Sequence, residues 1–140
     1  MDRKKLVKIL AYLIFFILIV NFIAHKFYWY FSVWYFDIIM HFLSGFWIGL
    51  AFIYLFSPKN GSFFSVFKVL LFVFFVGVGW EIFEIFVNDI ITQNSFDFLD
   101  TISDLFFDLI GGALAVFYFL KKIMLQSKDG PWGNSLKDRP

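Results

Sequence analysis

Four long apolar stretches, Leu6 to Ala24, Asp37 to Phe56, Ser65 to Ile91 and Thr101 to Leu120, constrain this chain more than any other feature of it. Each approaches or exceeds the roughly 20 residues needed to cross a hydrocarbon core of about 30 Å. Hydrophobic residues make up 61% of 140 residues, 24 of them phenylalanine, which exceeds what one soluble core of this length usually holds. Lipid must cover much of the surface. The expectation is an all-α integral membrane protein, a four-transmembrane-helix bundle with its N and C termini cytoplasmic.

The charges support that orientation. Arg3, Lys4, Lys5, Lys8, Lys59, Lys68, Lys121, Lys122, Lys128, Lys137 and Arg139 fall on the side of the termini, with Lys26 the one exception, and the positive-inside rule makes that side the cytoplasm. Asp2-Arg3-Lys4-Lys5 resembles the start of a secretory signal. The apolar run after it is long and no small-x-small cleavage site follows, so it reads as a retained anchor. With no cysteine, disulfides, thiolate ligands and cysteine nucleophiles are excluded.

One domain is expected over residues 1–122, with helices at about 6–24, 37–56, 65–91 and 97–121. The aromatic segment 26–36 reads as interfacial. Ser57 to Ser62 reads as a tight cytoplasmic loop, and Asn94 with Asp97 as a capping box for the last helix. Residues 123–140 read as a flexible cytoplasmic tail.

The chemistry lies in acids that these helices carry into the bilayer. Asp37 and His41 are four residues apart, so both occupy one face near the outer end of the second span. Glu81 and Glu84 are three apart, with Asn88 continuing their stripe, towards the outer end of the third. Asp97, Asp100, Thr101, Asp104 and Asp108 share one side of the last helix. Three helices thus bring acids to one depth. Each intramembrane charge costs roughly 2.5–3.5 kcal/mol on insertion scales, so these groups must face the bundle interior or a hydrated cavity.

Only Lys26, His25 and His41 oppose these acids on that side, so protons or bound cations must supply the missing positive charge. Clustered carboxylates with a histidine suit one or two divalent cations, Mg, Mn, Zn or Fe, and paired acids on facing helices resemble the dimetal sites of bundle cores. The expected ligands are Asp37, His41, Glu81, Glu84, Asp104 and Asp108, with Asp100, Asn88, Thr101 and Asp97 outside them. Asp97 and Asp100 have an equally good reading as helix N-terminal caps. Asn21 reads as an interhelical hydrogen bond. Gly45, Gly49, Gly77, Gly79, Gly111, Gly112 and Ala115 read as small surfaces for close helix approach.

Asp37-x3-His41-Phe42-x2-Gly45, Trp80-Glu81-x2-Glu84 and Asp100-Thr101-x2-Asp104-x3-Asp108-x2-Gly111-Gly112 together resemble the YjdF-like bacterial inner-membrane proteins and, more distantly, VanZ-like proteins. The likeness covers roughly Asp37 to Leu120. It implies a multi-pass protein of the bacterial plasma membrane with a shared polar site, and it implies no particular reaction.

Three functions stay open on sequence. A metal at the acids would activate water against a lipid-linked phosphate or ester. The same acids would serve a proton or cation transporter or channel component, although Phe67 to Phe75 and Leu114 to Phe119 are nearly free of polar groups, so a path would have to form between copies in an oligomer. Or protonated carboxylates serve a structural membrane protein as hydrogen bonds alone. No serine–histidine–acid set and no phosphate-cradling glycine loop is present, so an enzyme here would need the metal. Neither an organic cofactor nor nucleic acid is indicated.

Overall fold

The computed structural model describes residues 3–56, 63–87 and 97–128, with the side chains of Phe31 and 123–128 left aside. Its elements are α1 (Arg3–Lys26), α2 (Trp29–Ser32), α3 (Phe36–Phe56), α4 (Phe63–Val87) and α5 (Phe98–Lys128). No strand occurs among the described residues. Helices α1, α3, α4 and α5 are long and apolar enough to cross a membrane. The shortest of these, α3, has 21 residues, or about 31 Å at 1.5 Å per residue, which matches a hydrocarbon core. Lipid offers backbone groups no partner, and a helix satisfies them internally.

The start of α1 lies beside the end of α3, so these two helices run antiparallel. Arg3, at the start of α1, donates from Nη2 to the Tyr54 carbonyl at 3.1 Å in the last turn of α3, with its guanidinium 5.3 Å from the Tyr54 ring centre. Orphan carbonyls at a helix C-terminus favour such a cation.

Helix α3 is the hub, touching every other element among the described residues and meeting α5 most extensively. One side of α3 meets α1 and α2 through Ile17, Ala24, Phe36 and Met40, and Trp47 donates its indole N–H to the Leu10 carbonyl at 2.9 Å. The other side faces α4 and α5. In the halves nearer the end of α3 at Phe56, Leu50, Ile53, Val69, Val73, Ala115, Val116 and Phe119 close into one apolar core, and Leu6 of α1 joins it.

The seam between α3 and α5 is unusually close. A Cβ on Gly45 would run into the Asp108 carbonyl oxygen, and one on Gly111 would strike the Phe42 carbonyl oxygen and sit 2.6 Å from the Phe46 nitrogen. Glycine is needed at both because backbone meets backbone there. Gly79 departs from the expectation: a Cβ there has nothing within 4 Å. It lies on the exposed side of α4, two residues off the buried stripe of Val69, Val73, Gly77 and Glu81.

The aromatic segment forms no fifth span. After α1, Tyr28 takes the left-handed conformation (φ 56°) and α2 makes a single turn before α3 starts. At the other end α5 continues beyond Lys121 and Lys122 to Lys128. Lysine, methionine, leucine and glutamine are good helix formers and sustain it. The rest of the tail, the loop 57–62, and Asn88 and Asn94 lie outside the described residues.

Candidate metal centre

Each of α3, α4 and α5 turns one stripe towards the others, and the stripes share a pattern running from the Asp37 end of α3 towards its Phe56 end. On α3 it runs Asp37 and His41, then Gly45 and Gly49, then Ile53. On α4 it runs Glu84 and Glu81, then Gly77, then Val73 and Val69. On α5 it runs Asp104 and Asp108, then Gly111 and Gly112, then Ala115 and Phe119. Glycines let the helices close, and the polar groups one turn outward converge.

His41 is at the centre, buried at 6% exposure, with Glu81, Asp104 and Asp108 buried beside it at 5%, 2% and 2%. Its two ring nitrogens have different surroundings. Nε2 is 3.8 Å from Asp37 Oδ1, 3.9 Å from Glu81 Oε1 and 3.9 Å from Asp104 Oδ2. Nδ1 meets one acid, Asp108 Oδ2, at 3.4 Å, a long hydrogen bond. The Nε2 separations are too long for hydrogen bonds. Two of the carboxylate oxygens, Glu81 Oε1 and Asp104 Oδ1, are buried without any hydrogen-bond partner, a costly condition for a polar atom in an apolar medium.

Asp37, His41 and Asp104 place one ligand atom each within 4.8 Å of one another, and so do His41, Glu81 and Glu84. The two sets share His41. Ligand atoms held about 2.0–2.2 Å from one ion lie roughly 3–4 Å apart at ordinary coordination angles. The oxygens of Asp37, Glu81 and Asp104 stand at the upper end of that range from Nε2, and the acids divide into two sets about the one imidazole, Asp37 with Asp104 and Glu81 with Glu84.

The remaining expected residues fall around this centre. Thr101 hydrogen-bonds the Glu81 carboxylate. Asp97 is exposed and caps α5, its Oδ1 accepting from the backbone nitrogens of Leu99 at 3.0 Å and Asp100 at 3.4 Å. Asp97 thus serves the helix end and does not reach the centre. Asp100 is exposed in the first turn of α5, and its charge opposes those of Asp37, Glu84 and Asp104.

Tyr30 is a neighbour that sequence spacing does not reveal. Its hydroxyl donates to Asn21 Oδ1 at 2.8 Å, joining α2 to α1. Burial, with the Asp37 and Glu84 carboxylates adding to it, pushes the phenol from its usual 10.0 up to about 12. The only hint in sequence is a tyrosine in the turn preceding Asp37. Because the folded protein holds this proton more tightly than the unfolded chain, its stabilisation is complete below pH 10 and is lost as the pH rises towards 12. Tyr30→Phe should therefore flatten the fall in thermal stability across that window; a slope identical to that of the parent would contradict this placement.

The family described as Predicted membrane protein (DUF2238) matches residues 2–123. That match takes in α1 as well as the three helices of the centre, and so extends beyond the Asp37 to Leu120 region that the motifs cover. No curated protein and no solved structure matches the chain. A match over nearly all of the membrane-spanning part is sufficient to place it: the chain belongs to the predicted membrane protein family DUF2238.

Proposed function

We propose that this protein binds one or two divalent cations within the outer half of the membrane, in the cluster formed by Asp37, His41, Glu81, Glu84, Asp104 and Asp108, and uses them to act on a lipid-linked substrate. The observation that carries this reading is the ring of three carboxylate oxygens at 3.8–3.9 Å around one imidazole nitrogen, each from a different helix. The unpartnered Glu81 Oε1 supports it, because this is the oxygen that faces Nε2 and an ion there would satisfy it. One imidazole among carboxylates suits Mn, Fe or Zn as well as Mg.

A divalent cation held by these residues would supply the acidity that makes water a nucleophile near neutral pH. Asp37 and Glu84 are the least buried of the six, and at this depth the ester or phosphate of a lipid headgroup would be the substrate group at hand. Positive charge at the termini argues for the centre lying away from the cytoplasm. The YjdF-like resemblance is compatible with the family and favours a bacterial plasma membrane.

A transporter or channel needs a polar route beyond the site. In the cytoplasmic half the described residues of α3, α4 and α5 form an apolar core instead, which weighs against a path through one copy of the chain.

Metal analysis tests the reading. Purified protein incubated with zinc, then freed of loose metal by gel filtration, is expected to retain it, and His41→Gln is expected to retain little. A parent protein emerging without metal would refute the proposal.

A further inference from the structure

We infer that Asp108 is not a metal ligand but the positioning residue that holds His41 in its ligating form. This rests on the reading of His41 as a ligand and goes further, because it separates the roles of the two ring nitrogens. Among the described residues three acids surround Nε2, whereas Nδ1 has only Asp108 Oδ2, at 3.4 Å. A neutral imidazole has one N–H and one lone pair. An acceptor-only carboxylate at Nδ1 keeps the proton there and leaves the Nε2 lone pair directed at Asp37, Glu81 and Asp104. Metal-bound histidines commonly give their second N–H to such a carboxylate, which fixes ring orientation and tautomer.

The surroundings hold Asp108 in this role. It is 2% exposed, its backbone lies against Gly45, and its Oδ2 occupies the space beside Gly77, where a Cβ would stand 2.6 Å away. Two helices therefore leave room for one carboxylate in one place. Glycine at 77 keeps the acid within reach of Nδ1, since a methyl group there would displace the oxygen that touches the ring.

Asn in place of Asp108 tests this while preserving shape. Its amide can present N–H to Nδ1, which drives the imidazole proton to Nε2 and blocks the lone pair a metal needs. The chain has two histidines, so protein labelled with 15N-histidine gives two imidazole spin systems, and His25→Gln assigns them. In zinc-loaded parent protein the His41 Nε2 resonance is expected to carry the coordination shift while Nδ1 keeps its proton. Asp108→Asn is expected to weaken zinc binding by about 10–100-fold, the usual loss on removing such a partner, and Asp108→Glu to recover part of it. Gly77→Ala reaches the same contact from α4 and is expected to weaken binding in the same direction, which covers the case of an Asn variant that does not fold.

Zinc bound through Nδ1, or affinity unchanged in both Asp108→Asn and Gly77→Ala, would overturn the inference while leaving the metal centre in place. A parent protein that binds no zinc would instead remove the centre itself, and the inference with it.

Discussion

Gly45→Ala is expected to destabilise the protein and to release bound metal, whereas Gly79→Ala leaves both unchanged. The added methyl at 45 would meet the Asp108 carbonyl oxygen, with the Asp108 carbonyl carbon and Cα each 2.7 Å away. All three atoms are backbone, so no rotamer change relieves the overlap and α5 itself must move. Overpacking a close interface typically costs about 1–3 kcal/mol, and a rigid helix pair belongs at the upper end of that range. The damage also reaches the centre: the struck residue carries the acid at His41 Nδ1, and His41 sits one turn outward from Gly45 on α3. At Gly79 nothing lies within 4 Å, so a methyl group there gains helix propensity without a clash. Unfolding in detergent, together with zinc retention, measures both variants. If Gly45→Ala behaved like Gly79→Ala, the close crossing of α3 and α5 would be wrong.

How much of this could be read from sequence follows from what spacing encodes. Spacings of three and four determine which residues share a helix face, and charge asymmetry determines depth. Asp37 with His41, Glu81 with Glu84, and Asp104 with Asp108 could therefore be assigned to one layer before any coordinates. The glycines one turn inward could be read as a means of closing the helices. Spacing does not encode which nitrogen of a ring faces which acid, because that depends on side-chain rotamers and on the crossing of α3 with α5. Asp108, grouped by sequence with the ligands, is for this reason separated from them only by its place at Nδ1. Asp97 shares the stripe of Asp104 but precedes the first turn of α5, where backbone N–H groups compete for its carboxylate. Gly79 misleads for the opposite reason: its residue type suggests contact, but its position on the wheel points it away from both partner helices. Tyr30 reaches the acids across a chain reversal at Tyr28, and a reversal leaves no periodic trace.

If the centre holds metal as proposed, the largest effect should come from removing it. Around His41 stand Asp37, Glu81, Glu84, Asp104 and Asp108, more negative charge than one imidazole can balance. Unlike a surface cluster, these acids have little water to screen them, since four of the six groups are almost wholly buried. A ligand that binds only the folded state stabilises it by about 2.7 kcal/mol at 100 times its Kd, which for a chain of this size raises the unfolding midpoint by about 10 °C. Zinc is therefore expected to raise the midpoint of metal-free protein by that amount, and a chelator to reverse the rise. Glu81→Gln with Asp104→Asn separates metal from protons as the source of neutralisation. The double variant replaces both orphaned oxygens with neutral groups of the same shape, so it imitates a protonated pair while removing two anionic ligands. If metal neutralises the site, the parent shows the zinc-dependent gap and the double variant does not. If protons neutralise it, zinc changes neither protein, and the double variant is at least as stable as the parent because its acids no longer have to be protonated in order to be buried. The gap between loaded and stripped parent protein is thus the decisive quantity: a structural cluster gives none, and a metal centre built on Nε2 of His41 cannot avoid one.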